Sequence, residues 1–208
     1  MPTTNDGVMI ILSSPSGAGK TTLVNLLSKL KNFDISISHT TREPRPNEIP
    51  NKDYYFVNED KFKRLVKNEE FLEYAKVFKN YYGTTRTPVI DNLNKGKNVL
   101  FDIDWQGTQQ LMNSLQDDLV KVFVLPPSAK ELEKRLLKRN QDTNKTVKDR
   151  MSKASNEISH YAEYDYIIVN EDFEDSLVNI ESILVAEGLK RSRQLKIQEV
   201  INNLLNDL

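Results

Sequence analysis

The 208-residue sequence has no cysteine, which excludes disulfide scaffolds, thiolate zinc sites and cysteine nucleophiles together. It also lacks a charge excess. With 29 Lys and Arg against 30 Asp and Glu, no general attraction to nucleic acid or anionic membrane is expected, and any anion must be held by a local cluster. No apolar run approaches a membrane span, and the opening residues MPTTNDG carry neither the basic n-region nor the apolar stretch of a signal peptide. Internal repeats and low-complexity tracts are absent too. The expectation is one soluble, cytoplasmic domain that binds neither nucleic acid nor membrane.

What is present is a pattern of buried strands and amphipathic helices. Val8 to Leu12 is a continuous apolar run that breaks into Ser-Ser-Pro-Ser-Gly, as in a strand covered on both faces and ending in a tight loop. Leu23, Leu26, Leu27 and Leu30 then recur at helical spacing and predict a helix from Lys20 to about Leu30. Later apolar runs at Val99 to Ile103, Val120 to Leu125 and Tyr166 to Val169 have strand length and β-branched content. With helical patterns between them, they predict an α/β fold with a parallel sheet flanked by helices. Ser128 followed by Glu131 is a capping box for a helix to about Arg139, and Thr146 opens another with Val147, Met151, Ala154 and Ile158 on one face. The polar stretch Asn140 to Lys145 between them is expected to be the hinge or tip of a mobile hairpin.

Residues 35–96 have a different texture. Short aromatic strands (Tyr54 to Val57, Tyr81 to Thr84) alternate with short helices such as Asp60 to Lys67, and three prolines fall between Arg42 and Lys52, which predicts an inserted mixed subdomain. Near the C-terminus, Ile197, Val200, Ile201, Leu204, Leu205 and Leu208 share a helix face expected to dock on the chain's own core or on a second subunit, so a homodimer stays open.

Ser14-Pro15-Ser16-Gly17-Ala18-Gly19-Lys20-Thr21 lies between the first strand and its helix, where a phosphate-binding loop must lie. Glycines let consecutive N–H groups curl inward on phosphate oxygens, and the helix N-terminus adds partial positive charge. Lys20 would reach the β- and γ-phosphates of a nucleotide, and the Thr21 hydroxyl would ligate Mg2+. Ser14 replaces the first glycine of the strict pattern and must then tolerate that glycine's turn geometry. Such a loop leaves GTPases, ATPases and several kinases open. No N-K-x-D segment follows the last strand, where Asn170-Glu171-Asp172 stands instead, and this counts against a GTPase.

Further segments narrow the choice: Ser38-His39-Thr40-Thr41-Arg42-Glu43-Pro44-Arg45-Pro46, Asp53-Tyr54-Tyr55-Phe56, Glu70-Phe71-Leu72-Glu73-Tyr74-Ala75, Asn80-Tyr81-Tyr82-Gly83-Thr84 and Phe101-Asp102-Ile103-Asp104-Trp105-Gln106-Gly107. In order and spacing, from about Val8 to Asp172, the sequence resembles the guanylate kinase family. The resemblance implies a P-loop kinase fold filling residues 1–208 as a single domain, with a core (6–34, 97–127 and 160–208), a GMP-binding subdomain (35–96) and a small lid (about 128–159). It implies transfer of the γ-phosphate of ATP to GMP, and to dGMP, with Mg2+ accompanying ATP.

It also implies site residues. Ser14, Pro15, Ser16, Gly17, Ala18, Gly19, Lys20, Thr21 and Thr22 would hold ATP, with Asn170 at the adenine. Arg42, Arg45, Tyr54 and Tyr82 would hold the GMP phosphate, Glu73 and Asp104 would face the guanine edge, and Ser38 and Thr84 would add hydrogen bonds to the base. Lys20, Arg42, Arg135, Arg139 and Arg150 form the cationic catalytic set, the last three on and beside the lid. Asp102 is a candidate for orienting a magnesium-bound water.

Chemistry supports these assignments independently. Guanine presents donors at N1 and N2, so one carboxylate can accept two bonds from it and none from adenine. Arg135 and Arg139, four apart, would by base rate be solvated surface charge, and their register with the family favours function. The family's glycine after the second of them is replaced by Asn140. Asp102 and Asp104 could serve only to end a strand. His39 and His160 are expected to be structural and Trp105 to be packing. Two rivals stay open, namely a catalytically silent guanylate-kinase-like binding module and a P-loop kinase for another acceptor.

Overall fold

The first strand is buried along its whole length because both of its faces are covered. Ile10 and Leu12 point to one face of the sheet, with Leu23, Leu27 and Ile180, while Met9 and Ile11 point to the other, with Val89, Leu93 and Leu111. Period-two alternation is therefore present but invisible in an unbroken apolar run.

The computed structural model describes residues 7–30, 33–46, 48–77, 79–115, 119–138, 144–194 and 197–208. In chain order come β1 (Met9–Ser13), α1 (Lys20–Leu27), β2 (Phe33–Ile35), β3 (His39–Thr40), β4 (Tyr55–Phe56) and α2 (Glu59–Lys67). There follow β5 (Phe71–Val77), β6 (Asn80–Thr85), α3 (Arg86–Leu93), β7 (Asn98–Asp102), α4 (Trp105–Leu115) and β8 (Leu119–Leu125). The last are α5 (Ala129–Lys138), α6 (Asn144–Ser159), β9 (Tyr166–Val169), α7 (Phe173–Gly188) and α8 (Ile197–Asp207).

A five-stranded parallel sheet runs β2-β7-β1-β8-β9, and a four-stranded mixed sheet runs β4-β3-β6-β5. All strands of the first sheet end on one edge, so the loops after β1 and β7 emerge side by side, where open α/β sheets bind ligands. Gln110 ties α4 to the mixed sheet, because its side chain accepts the Tyr74 N–H at 3.0 Å and donates to the Tyr74 carbonyl of β5. Among the described residues no helix is long and apolar enough to cross a membrane.

Several boundaries differ from the sequence expectations. Helix α1 stops at Leu27, with Ser28 to Leu30 forming turns, although Leu30 still packs on the core. Helix α6 starts at Asn144, two residues before Thr146, so part of the expected hinge is helical. The rest of that hinge, Arg139 and Asn140 lie outside the described residues. Helix α8 forms as expected but does not dock on the chain's own core. None of its residues is buried, and Val200, Ile201, Leu204, Leu205 and Leu208 are all exposed.

Candidate active site

The loop after β1 wraps the N-terminus of α1 through two glycines in the left-handed region, Gly17 (φ 96°) and Gly19 (φ 101°). Space is as limiting as conformation, since a Cβ on Gly19 would lie 2.4 Å from Asn170 Nδ2, and one on Gly17 2.9 Å from Leu136 Cδ2. Ser14 is not strained, because the described non-glycine residues with positive φ are Asn51 and Glu69. The side chain at Ser14 is therefore tolerated, and its hydroxyl donates to the Pro15 carbonyl.

Lys20 extends along the inside of the loop to the end of β7. Its Nζ lies 2.7 Å from Asp102 Oδ1 and donates to the Ile103 carbonyl at 2.9 Å. From this point one cavity of about 470 Å³ runs to the mixed sheet. Its lining includes Ser14, Pro15, Ser16, Gly17, Gly19, Lys20, Thr21 and Thr22 at one end, where Arg135 also borders it, and Ser38, Tyr54, Glu73 and Tyr82 at the other, with Asp102 and Asp104 also in the lining.

A β-bulge aims Glu73. The β5–β6 register shifts between Phe71 and Glu73, which turns the carboxylate into the cavity and leaves Leu72 in the core. Glu73 is 3% exposed, and its Oε1 has no hydrogen-bond partner. Burial, with Asp104 nearby, pushes its carboxyl up to about 7, against the pull of Thr84. Beside it, Ser38 and Thr84 share a hydrogen bond of 3.2 Å, with Thr84 buried behind the cavity wall. Asp104 lines the cavity and also caps α4, since its Oδ1 accepts the Gln106 and Gly107 N–H groups at 3.1 Å. Both readings of Asp104 are therefore compatible with its position.

The arginines are less converged than the sequence suggests. Arg42 Nη2 lies 2.7 Å from Glu48 Oε1, and Arg42 stands over the Tyr54 ring at 5.5 Å. Arg45 donates its N–H to Glu48 Oε2 at 2.8 Å, while its side chain is mostly exposed. Burial and the charge of Asp102 push the Tyr54 hydroxyl up to about 12, so it stays a donor at neutral pH. Arg135 grips the outside of the phosphate loop, donating to the carbonyls of Ala18 at 3.2 Å and Asn170 at 3.1 Å. Arg150 lies on α6, has a partner within the protein and is not part of the cavity lining.

Asn170 requires correction. It is fully enclosed, its Nδ2 donating to the Ala18 carbonyl at 2.7 Å and its Oδ1 accepting from Ser176 at 3.0 Å. With each end of its amide engaged and no surface exposed, it holds the loop from behind and does not face the cavity where an adenine would lie. Ala18 is likewise buried, with its carbonyl turned to these supports and away from the cavity.

The guanylate kinase family model matches residues 7–187. The chain belongs to the guanylate kinase family. It is 52% identical to the guanylate kinase of Paramagnetospirillum magneticum over 199 residues, 95% of this chain and 93% of that one. The guanylate kinase of Rhodopseudomonas palustris is also 52% identical, over 97% of this chain and 93% of its own. A crystal structure of guanylate kinase from Anaplasma phagocytophilum superposes with a TM-score of 0.78 at 40% identity, covering 95% of this chain and 94% of that one.

Within this guanylate kinase fold, two carboxylates stand at the site that sequence reasoning did not single out. Glu48 braces both Arg42 and Arg45, and Glu157 of α6 accepts the Ser16 N–H at 3.0 Å inside the cavity. Glu48 was visible only as a charge three residues from Arg45. Glu157 lies 141 residues from its partner, a separation that no local pattern reports.

Proposed function

We propose that this chain is an ATP:GMP phosphotransferase, giving ADP and GDP. The observation that carries the proposal is a single cavity with a phosphate loop at one end and, at the other, a buried carboxylate with one oxygen free. A cavity of about 470 Å³ that joins the two ends suits a triphosphate and a guanine nucleotide laid end to end.

At the donor end, loop N–H groups and Lys20 receive the phosphates. The oxygen donors Thr21 and Asp102 both line the cavity, a hard-ligand set that suits Mg2+. When bound with ATP, that ion neutralises charge on the phosphates. At the acceptor end Glu73 accepts from guanine N1 and N2, with Ser38 and Asp104 beside the base and Thr84 holding Ser38 from behind. Arg42, Arg45, Tyr54 and Tyr82 hold the GMP phosphate. Residues 35–96 thus act as the acceptor subdomain, and about 128–159 as a lid carrying Arg135, Arg139 and Arg150. Closure brings the arginines in and excludes water.

The reaction joins two anions. A GMP phosphate oxygen attacks the γ-phosphorus, the bond to the bridging β–γ oxygen breaks, and ADP leaves. The acceptor's second pKa is near about 6, so at neutral pH no side chain has to remove a proton. Catalysis then rests on alignment and positive charge. Lys20 is prepared for this, because Asp102 and the Ile103 carbonyl hold its ammonium in the cavity. The reaction is assigned to the cytosol, where both nucleotides are available.

A coupled ADP-release assay with ATP, magnesium and a panel of GMP, dGMP, AMP, UMP and dTMP tests the proposal. Turnover on GMP and dGMP alone is expected. A folded protein with no turnover on GMP would leave a binding module, and preference for another acceptor would reassign the kinase.

A further inference from the structure

Gly107 is the third residue of α4, and its backbone does not require glycine. Its φ is outside the left-handed region that Gly17, Gly19 and Gly96 occupy. Alanine is the better helix former at an ordinary helical position. The reason for glycine lies across the gap to β5. A Cβ at 107 would stand 2.7 Å from Glu73 Oε2 and 3.3 Å from Glu73 Cδ, against the roughly 3.5–4.0 Å at which non-bonded carbon atoms settle.

The carboxylate has few ways to yield. Glu73 is 3% exposed, its carboxylate is hydrogen-bonded to Thr84, and Ile103 Cδ1 would also lie 3.3 Å from the added atom. Glu73 borders the cavity, and its buried Oε1 has no partner to hold it, so its remaining freedom is on that side. Helix α4 is itself fixed on β5 by the Gln110–Tyr74 pair, so the helix cannot easily back away.

We infer that Gly107 is a specificity-determining positioning residue: its missing side chain lets the Glu73 carboxylate seat against α4, at the depth and angle from which both oxygens meet the guanine edge. The inference rests on the assignment of Glu73 as the guanine acceptor. Paired hydrogen bonds tolerate little displacement, because each weakens steeply once its angle falls toward about 120°. A methyl group at 107 drives the carboxylate into the space the base needs, while the phosphate loop keeps its shape.

Steady-state kinetics of the full chain with Gly107→Ala, Glu73→Asp and the double variant provide the test. Gly107→Ala is expected to raise the GMP KM by about tenfold or more, the scale of an ångström-sized misplacement, and to change the ATP KM by less than about twofold. In the Glu73→Asp background, where the shortened side chain leaves room for the methyl, the same substitution is expected to cost less than about threefold. An unchanged GMP KM in Gly107→Ala would overturn the inference, as would an equal penalty in both backgrounds. Should Gly107→Ala fold poorly, recovery of its thermal midpoint on adding Glu73→Asp supports the clash, and no recovery overturns it. Glu73→Gln separates the two levels. If it leaves the GMP KM unchanged, the guanine assignment fails and this inference falls with it. If it raises the KM while Gly107→Ala does not, only the role of Gly107 fails.

Discussion

The Glu157 carboxylate accepts the Ser16 N–H at 3.0 Å, so an anion already stands at the phosphate loop. Burial, chiefly, raises its carboxyl above the ordinary range, with the Ser16 N–H and Lys20 opposing. A nucleotide phosphate entering the loop meets this charge and competes for the same donor. Repulsion between unit charges about 7 Å apart is about 2 kcal/mol at an effective dielectric of about 20. Glu157→Gln is therefore expected to lower the MgATP KM, by about thirtyfold at most, in initial rates at saturating GMP. A higher KM would mean that the carboxylate shapes the loop more than it opposes the nucleotide.

Glu48 bridges the loop that carries both acceptor arginines, taking Arg42 Nη2 with one oxygen and the Arg45 N–H with the other. Glu48→Ala removes this brace and leaves the Arg42 guanidinium without its 2.7 Å partner. The expected outcome is a rise of about tenfold in GMP KM with ATP KM little changed, because alignment is lost at the acceptor end alone. A fall in GMP KM would identify Glu48 as a competing counter-ion.

Glu73 couples stability and binding to pH. Its carboxyl sits at about 7 in the fold against an ordinary 4.5. Between those values the folded chain keeps a proton that the unfolded chain releases, so stability falls as pH rises through the window, by up to ~3 kcal/mol, and stays lower above it. Glu73→Gln should match the wild-type thermal midpoint below pH 4.5, after allowing for the lost ionisation, and exceed it at pH 8. Guanine binding runs the opposite way, since it needs the ionised form. GMP's own phosphate titrates near about 6. Guanosine as a competitive inhibitor therefore isolates the carboxylate, and its Ki is expected to rise about tenfold per unit of pH below about 7.

Asn170 supports the phosphate loop from a position that no solvent reaches. Asn170→Ala strips partners from the Ala18 carbonyl and the Ser176 hydroxyl, a cost of about 2 kcal/mol or more. A thermal midpoint lower by several degrees and a higher ATP KM should appear together. A raised ATP KM with an unchanged midpoint would restore the adenine contact expected from sequence.

Legibility in the sequence followed the range of the interaction. The β1–loop–α1 unit was readable because its apolar run, glycines and helical spacing are contiguous. The spacing outran the structure at Leu30, which keeps its core contact after the helix has ended. The apolar face of α8 was equally plain, yet periodicity identifies a face without saying what covers it, and here it lies exposed. The bulge that aims Glu73 depends on β6 across the sheet, and the need for glycine at 107 depends on Glu73 itself. Glu157 meets Ser16 only because α6 folds back over the loop. Asn170 followed a correctly predicted strand, but its burial is decided by Ala18 and Ser176.

The most direct test is the ratio of kcat/KM for GMP to that for AMP, measured in the wild type and in Glu73→Gln. A site that reads its base through a buried acceptor should favour GMP by about 10⁴-fold. The substitution should remove at least about a hundredfold of that preference while ATP KM holds. An equal ratio in the two proteins, or no preference in the wild type, would contradict the assignment of this cavity to guanine.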